Sequence, residues 1–168
     1  MSTHLAPSSY HDPLTELPNR RLLDDRLKQA LHLAQRRDAK LALMLVDLAS
    51  FGSVNQLLGH AAGDAVLREV ARRLAACLRR ADTLARCGAD EFAVVVTDVH
   101  SEADCRIVAE RILGVFSGEF SGVTLEASIG ISLYPSDAGD GDALMRNADA
   151  AMFRAKQQGR NLYRFFAG

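Results

Sequence analysis

The feature that most constrains the fold is a short, almost wholly apolar run, LALMLVDL, at residues 41–48. A run of this kind is typical of a central strand covered on both faces, because a strand with one wet face alternates apolar and polar residues. It predicts a sheet with other structure packed on each side. Asp47, the one acidic residue of the run, then lies near the C-terminal end of the strand.

Helix and strand patterns surround this run. Apolar residues recur every three or four positions in four segments, which predicts amphipathic helices at about residues 20–37, 59–79, 101–116 and 144–155, the third with a capping box at Ser101 and Asp104. Strand patterns lie at residues 83–86, 92–96, 123–133 and 161–166. Two hairpin-like stretches imply antiparallel pairs. We therefore expect an α/β (α+β) domain with a mixed sheet rather than a doubly wound parallel one.

Composition excludes several classes of protein. The 168 residues, 48% of them apolar, fit one domain, which we place at residues 12–168 after a tail at residues 1–11. Twenty basic and 21 acidic residues leave no broad cationic surface for a nucleic acid. The cysteines show neither disulfide nor CxxC spacing, which indicates a reducing, cytoplasmic setting. No run reaches the roughly 18 apolar residues of a membrane span.

Acidic side chains mark one candidate site. Asp47 ends the apolar strand, and Asp90 and Glu91 occupy the tip of the hairpin pattern that could lie beside it. Clustered carboxylates suit Mg²⁺, which prefers oxygen ligands and is commonly shared with substrate phosphates. The alternative is that these acids, at a strand end and a turn, simply face water.

Polar residues near the second long helix form another candidate group. Gly59 and Gly63 open that helix, where free N–H groups and a small loop could approach a purine or a phosphate. Asn55 and Asp64 could read a guanine edge. Alternatively, Asn55 is an ordinary loop residue and Asp64 an ordinary acid of a first helical turn.

Two groups of basic residues could meet phosphate. Lys156 and Arg160 follow the apolar stripe of the last helix, and Arg79 stands close to Asp82 before the hairpin. Arginine forks match phosphates, and an aspartate can accept a hydrogen bond from guanine. The alternative in both places is solvated charge at a helix end.

Together these segments resemble the GGDEF domain family, the diguanylate cyclases, from about Asp12 to Phe166. The resemblance rests on five ordered motifs: Asp12-Pro13-Leu14-Thr15 with Leu17-Pro18-Asn19-Arg20; Phe51 and Asn55 before Gly59-His60 and Gly63-Asp64; Arg86 with Gly88-Ala89-Asp90-Glu91-Phe92; Ser128-Ile129-Gly130-Ile131; and Ala148-Asp149 through Lys156 to Gly159-Arg160-Asn161.

The resemblance implies a nucleotide cyclase-like, ferredoxin-like fold, with a mixed central sheet surrounded by helices. In this family two domains of a homodimer each hold one GTP, with Mg²⁺, and join them into the bacterial second messenger cyclic di-GMP. Metal-assisted attack of a ribose 3′-hydroxyl on an α-phosphate is the implied reaction. Members with altered signature loops often precede an EAL phosphodiesterase domain, so we expect an excised domain that neighbours a sensor or EAL domain.

The resemblance also implies roles for residues. Asp47 and Asp90 look like Mg²⁺ ligands and, with Glu91, like the catalytic carboxylates. Arg79 and Asp82 match the RxxD product-inhibition site. The nucleotide contacts implied in the same way are Asn55, Asp64, Lys156, Arg160 and the signature-loop residues Gly88 and Ala89.

The chain departs from the family pattern around this site. Ala89 replaces the second glycine of the signature, which would either adopt positive φ or let a phosphate approach the backbone. Ala49 and Gly52 replace an aspartate and a lysine, Gln56 replaces an aspartate, and Glu16 replaces a glycine. We therefore expect a degenerate domain, weakly active or inactive as a cyclase, that binds GTP or cyclic di-GMP for regulation. The alternatives are an active cyclase and a structural protein-interaction domain.

Overall fold

The computed structural model describes residues 9–49 and 51–167. Residues 1–8 of the expected tail lie outside the described residues. The helices are α1 (Arg20–Arg37), α2 (Phe51–Leu58), α3 (His60–Ala76), α4 (Glu102–Val115) and α5 (Gly141–Gln158). The strands are β1 (Lys40–Ala49), β2 (Thr83–Gly88), β3 (Glu91–Val99), β4 (Glu119–Phe120), β5 (Val123–Thr124), β6 (Glu126–Tyr134) and β7 (Leu162–Phe165).

The main sheet of the described chain is mixed, as expected. Its strand order is β2-β3-β1-β6-β7, so β1 is central. β1 pairs antiparallel with β3 and with β6, β2 pairs antiparallel with β3, and β7 runs parallel to β6. β4 and β5 form a separate two-stranded sheet. No helix within the described ranges is long and apolar enough to cross a bilayer.

Two helical layers explain why the central strand is apolar throughout. Met44 and Val46 belong to the core under α2, α3 and α4, whereas Leu43 and Leu45 belong to the core under α1 and α5. Alternate side chains of a strand point to opposite faces, so both sets of β1 side chains are withdrawn from water. The prediction of a central strand covered on both faces is confirmed.

Gly130 brings α5 unusually close to the sheet. A Cβ at this position of β6 would lie 2.0 Å from the carbonyl oxygen of Ala148 and 2.3 Å from the backbone nitrogen of Met152. The helix backbone therefore rests directly on the strand, a separation that only glycine permits. This contact holds the C-terminal half of α5 over the sheet, where Lys156 can reach the end of β1.

Local details both confirm and correct the expected elements. The first predicted helix is confirmed, and it begins with the Leu22 N–H donating to the side chain of Asn19 over 3.0 Å. The segment 51–58 forms a helix that the sequence reading missed, because only Phe51 and Val54 of this short stretch are buried. The predicted capping box is wrong: the Ser101 side chain accepts no capping hydrogen bond, and Asp104 instead accepts from the N–H of His100.

Candidate functional site

The predicted carboxylates meet at one edge of the sheet. Asp47 of β1 lies directly opposite Glu91 of β3 in the strand register. The Leu48 N–H donates to the Asp90 carbonyl oxygen over 2.9 Å, which extends the pairing to the hairpin turn. The expectation that the hairpin tip lies beside the end of the apolar strand is therefore confirmed.

Electrostatic strain accompanies this arrangement, which we name the acidic edge (Asp47, Asp90 and Glu91). Burial raises the pKa of Asp47, and the neighbouring Asp90 and Asp149 raise it further. Burial likewise raises the pKa of Glu91, with repulsion from Asp47 and Asp149 added. Half-buried carboxylates that repel one another gain from a nearby cation, which lowers the cost of keeping them ionised.

Lys156 supplies a cation at this edge. Its Nζ lies 2.8 Å from Oδ2 of Asp47, whose side chain is only 14% exposed. The hydrogen bond to Asp47 is the main reason that the pKa of Lys156 is raised, and the charges of Asp90 and Glu91 add to it. Lys156 stands near the C-terminal end of α5, so it depends on the close seating of that helix over Gly130.

Asp149 belongs to the same electrostatic group, although the sequence reading assigned it no role. It lies on α5 seven positions before Lys156, which is about two helical turns, so the two residues share one side of the helix. Its charge acts on both Asp47 and Glu91. The spacing of Asp149 and Lys156 beside the apolar stripe was the available sequence signal.

The turn of the signature loop is formed by Ala89 and Asp90, between Gly88 and its register partner Glu91. Neither Gly88 nor Ala89 has positive φ. The concern that Ala89 is forced into left-handed geometry is therefore wrong, because this turn uses ordinary backbone conformations. Ala89 is exposed, so its Cβ affects only what approaches the loop from outside.

Left-handed geometry occurs instead at Glu16, where φ is 65°. Glu16 replaces the glycine that the family pattern has in the N-terminal motif. Its N–H donates to the Asp12 carbonyl oxygen over 2.7 Å, which closes a tight turn. The backbone conformation of this turn is one that favours glycine.

Arg86 ties this N-terminal turn to the signature loop. Its Nη1 lies 3.1 Å from both carboxylate oxygens of Asp12, and its Nη2 donates to the Ala89 carbonyl oxygen over 2.8 Å. Burial alone would raise the pKa of Asp12, but hydrogen bonds from Thr15 and the charge of Arg86 leave it lowered. Arg86 therefore holds the signature loop against the N-terminal turn.

The predicted guanine contacts lie on either side of the junction between two helices, with Asn55 in α2, and so not in a loop, and Asp64 in α3. A Cβ on Gly63 would fall 1.9 Å from Oδ1 of Asn55, so the amide of Asn55 packs directly on the first turn of the helix. The N–H of Gly59 donates to the carbonyl oxygen of Asn55 over 2.9 Å, and Gly59 itself has φ of 89°. Asp64 is half-buried and lies just beyond this first turn, so it is not an acid of the first helical turn. Asn55 and Asp64 thus share one short segment.

The Arg79 and Asp82 pair lies away from the acidic edge. It precedes Thr83, at the opposite end of the β2–β3 hairpin from the Ala89–Asp90 turn. Arg79 donates to Oδ1 of Asp82 over 3.1 Å and to the Thr97 carbonyl oxygen over 2.5 Å, and the Asp82 side chain is 1% exposed. A groove of about 470 Å³ adjoins the pair, and the basic residues lining it are Arg26, Arg37, Lys40 and Arg80.

The acidic edge is not by itself a complete metal cage. Within the described ranges, no group of three or more His, Cys, Asp or Glu side chains has the arrangement needed to hold a metal ion. Mg²⁺ in proteins often binds one or two carboxylates and completes its ligand shell with substrate phosphates and water. The edge fits that incomplete kind of site.

Comparisons with known proteins find a family match over most of the chain. A family model described as "Diguanylate cyclase, GGDEF domain" matches residues 9–162. The chain is 48% identical over 160 residues to the bifunctional diguanylate cyclase/cyclic di-GMP phosphodiesterase MucR and 41% identical over 161 residues to the diguanylate cyclase TpbB, both of Pseudomonas aeruginosa. Each alignment covers 93% of this chain but only 23% of MucR and 37% of TpbB.

Solved structures give the same picture. The GGDEF domain of TpbB superposes with a TM-score of 0.89 at 41% identity, covering 92% of this chain and 93% of that one. The GGDEF domain of DgcB from Caulobacter crescentus, solved in complex with c-di-GMP, superposes with a TM-score of 0.84 at 27% identity, covering 95% and 94%.

Proposed function

This chain belongs to the GGDEF domain family of cyclic di-GMP signalling, and on that premise we propose that it is a nucleotide-binding regulatory domain with weak or no cyclase activity. The observation that carries the proposal is the acidic edge with Lys156 as its counter-ion. Such a charge arrangement suits a nucleotide triphosphate that arrives with a divalent cation.

The residues of the acidic edge fit Mg²⁺. They offer only oxygen donors, burial and neighbouring carboxylates raise the pKa values of Asp47 and Glu91, and the ammonium group of Lys156 already lies against Asp47 as a cation would. Asp47 and Asp90 would hold the ion, with Glu91 beside them. When bound, Mg²⁺ would neutralise phosphate charge and polarise the α-phosphate.

The nucleotide would lie across the end of the sheet. Lys156 and Arg160 would meet its phosphates, and Gly88 and Ala89 would flank them. Asn55 of α2 and Asp64 of α3 would read guanine. Binding of the cation to Asp47 would release Lys156 toward phosphate, because both cations compete for the same carboxylate.

The low cyclase activity would result from the exposed Cβ of Ala89, which obstructs the substrate, and not from backbone strain in the signature loop. The Cβ of Ala89 adds bulk where a phosphate would pass, and a displacement of about 1 Å in a reacting group can cost about 100-fold in rate. Ala49 and Gly52 remove a carboxylate and a positive charge from the same region, in comparison with the family pattern. Binding is less demanding of position than catalysis, so it survives these changes.

An active cyclase is the second candidate function. It is favoured by the ordinary backbone of the Ala89–Asp90 turn and by the presence of all three carboxylates of the acidic edge. Activity would require a homodimer, since each domain would hold one GTP. A domain that acts only through protein contacts is the third candidate.

The product-binding site is proposed at Arg79 and Asp82, which would hold cyclic di-GMP. Arg79 donates to Asp82 and to the Thr97 carbonyl oxygen, so binding would exchange these contacts for phosphate and guanine contacts. We further propose that a sensor or an EAL domain adjoins this one in the full protein, and that the setting is cytoplasmic, in keeping with the free thiols of its cysteines.

The testing experiment is isothermal titration of the purified domain with GTP and with cyclic di-GMP in Mg²⁺, followed by chromatography of the GTP mixture after long incubation. We expect binding of one or both nucleotides and little or no product. Substantial new cyclic di-GMP would establish the active cyclase instead, and no binding would leave the interaction domain.

Paired variants assign the two ligands to their sites. Arg79→Ala should abolish cyclic di-GMP binding and spare GTP, whereas Asp64→Ala should do the reverse. Arg106→Ala is the matched control for Arg79→Ala, because the two arginines are equally exposed and Arg106 also forms an ion pair, with Glu102 on α4. Loss of cyclic di-GMP binding in the control as well would remove the assignment to Arg79.

A further inference from the structure

Arg160, a proposed phosphate contact, is engaged by a carboxylate that the proposed site does not use. Its Nη1 lies 3.6 Å from Oε1 of Glu126, at the first residue of β6. Both side chains are well exposed, 64% for Arg160 and 44% for Glu126. Glu126 lies opposite Ala49 in the strand register, two residues beyond Asp47, so this exposed pair lies beside the acidic edge, where an incoming nucleotide would reach it.

The fold fixes this pair from both sides. Asn161, which follows Arg160, accepts a hydrogen bond from the N–H of Ala127, which follows Glu126. This bond continues the parallel pairing of β6 with β7, in which Ser128 lies opposite Leu162, so Glu126 and Arg160 are held at neighbouring positions. Across the sheet, the register partner of Glu126 is Ala49, whose methyl group offers no polar contact. Arg160 is the ion-pair partner that the Glu126 carboxylate has in this region.

We propose that Glu126 is a positioning residue that competes with nucleotide phosphate for Arg160 and thereby lowers the affinity of the domain for GTP. The proposal rests on the proposed function, in which Arg160 meets phosphate. The Glu126–Arg160 pair differs from the Asp47–Lys156 pair. Asp47 would bind the metal ion when Lys156 leaves it, whereas Glu126 would gain no new cationic partner when Arg160 binds phosphate.

The size of the effect follows from exposure. An exposed ion pair stabilises its partners only modestly, so breaking it should change affinity by about two- to fivefold. Glu126→Gln removes the charge and keeps the shape, so GTP should bind about two- to fivefold more tightly. Cyclic di-GMP binding at Arg79 and Asp82 should stay unchanged, because that site lies at the opposite end of the β2–β3 hairpin from the acidic edge.

The test is a double-mutant cycle measured by GTP titration in Mg²⁺ with wild type, Glu126→Gln, Arg160→Ala and the double variant. We expect the gain from Glu126→Gln to disappear in the Arg160→Ala background, because the carboxylate acts through Arg160. The matched control is Glu102→Gln, which makes the same charge change in the Glu102–Arg106 pair on α4 and should leave GTP affinity unchanged.

Two results would overturn the inference: no gain from Glu126→Gln in a variant that thermal unfolding shows to be folded, or an equal gain in the Arg160→Ala background. The second would indicate direct repulsion of the nucleotide by Glu126. If the wild type binds no GTP, the proposed function loses its GTP site. In that case, GTP binding that appears in Glu126→Gln and is lost in the double variant would still support competition between Glu126 and phosphate for Arg160. If Glu126→Gln also binds no GTP, this competition is refuted.

Discussion

Gly130→Ala should disturb both stability and nucleotide binding, because it separates α5 from the sheet. The new Cβ would lie 2.0 Å from the Ala148 carbonyl oxygen, and real Cβ atoms essentially never come closer than 3.0 Å to such an atom. The helix backbone must therefore retreat by about 1 Å. Both obstructing groups are backbone atoms, which cannot rotate away, so we expect a loss of about 3 kcal/mol in the free energy of unfolding.

The same retreat would reach the candidate site. Lys156 stands on the helix that moves, and its 2.8 Å contact with Asp47 would lengthen. A displacement of about 1 Å in a positioned group can cost about 100-fold in rate, and binding should weaken in the same direction. Gly130→Ala should therefore lower GTP affinity by more than its effect on cyclic di-GMP affinity, whose proposed site does not involve α5.

Urea unfolding and GTP titration of Gly130→Ala measure the two effects. Gly114→Ala is the matched control, because a Cβ at Gly114 of α4 would meet nothing within 4 Å. The control should be neutral or slightly stabilising, since alanine is the better helix former. If Gly130→Ala unfolds within about 0.5 kcal/mol of wild type and binds GTP normally, the argument that this glycine seats α5 is wrong.

Three further predictions concern single side chains. Glu16→Gly should raise the free energy of unfolding by up to about 1 kcal/mol in thermal or urea unfolding, because φ is 65° at this residue; a loss of stability would contradict this. Ser132→Ala should be neutral or stabilising by about 1 kcal/mol, since the buried Ser132 hydroxyl has no hydrogen-bond partner among the residues that the structure describes; a loss above about 1 kcal/mol would refute it. Glu91→Gln should raise the melting temperature at pH 7 and weaken Mg²⁺-dependent nucleotide binding. The pKa of Glu91 is raised by burial and by Asp47 and Asp149, so the folded state holds this proton more tightly and loses stability as the pH rises from about 4.5 through the folded pKa. The stabilising effect should therefore shrink in acid, and an effect that is constant with pH would exclude this cause.

Much of the candidate site was predictable because its residues are carried by strong local patterns. Asp47 ends an apolar strand, and the acidic hairpin tip follows two strand patterns, so their proximity in one sheet followed from the sequence. Lys156 and Arg160 follow a clear apolar stripe. Helix α2 escaped prediction because Phe51 and Val54 are too few to establish a period over eight residues.

Other features depended on contacts between distant segments. The role of Asp149 depends on how α5 lies over β1, and the ion pair of Arg160 with Glu126 depends on the parallel register of β6 with β7. Of the two residues that replace a family glycine, Glu16 has positive φ and Ala89 does not. Comparison with a motif shows which residue is replaced. It does not give the φ angle at that position, because this angle depends on the turn that the folded chain forms there.

The sequence by itself determined the layers of this domain and the residue types of its site, since periodicity and residue chemistry are local properties. Only the tertiary structure decided how the charges are paired. An ion pair depends on a separation of a few ångströms between side chains that are far apart in the chain, as Lys156 and Asp47 are. That separation is set by the strand register and by the close packing of α5 on Gly130.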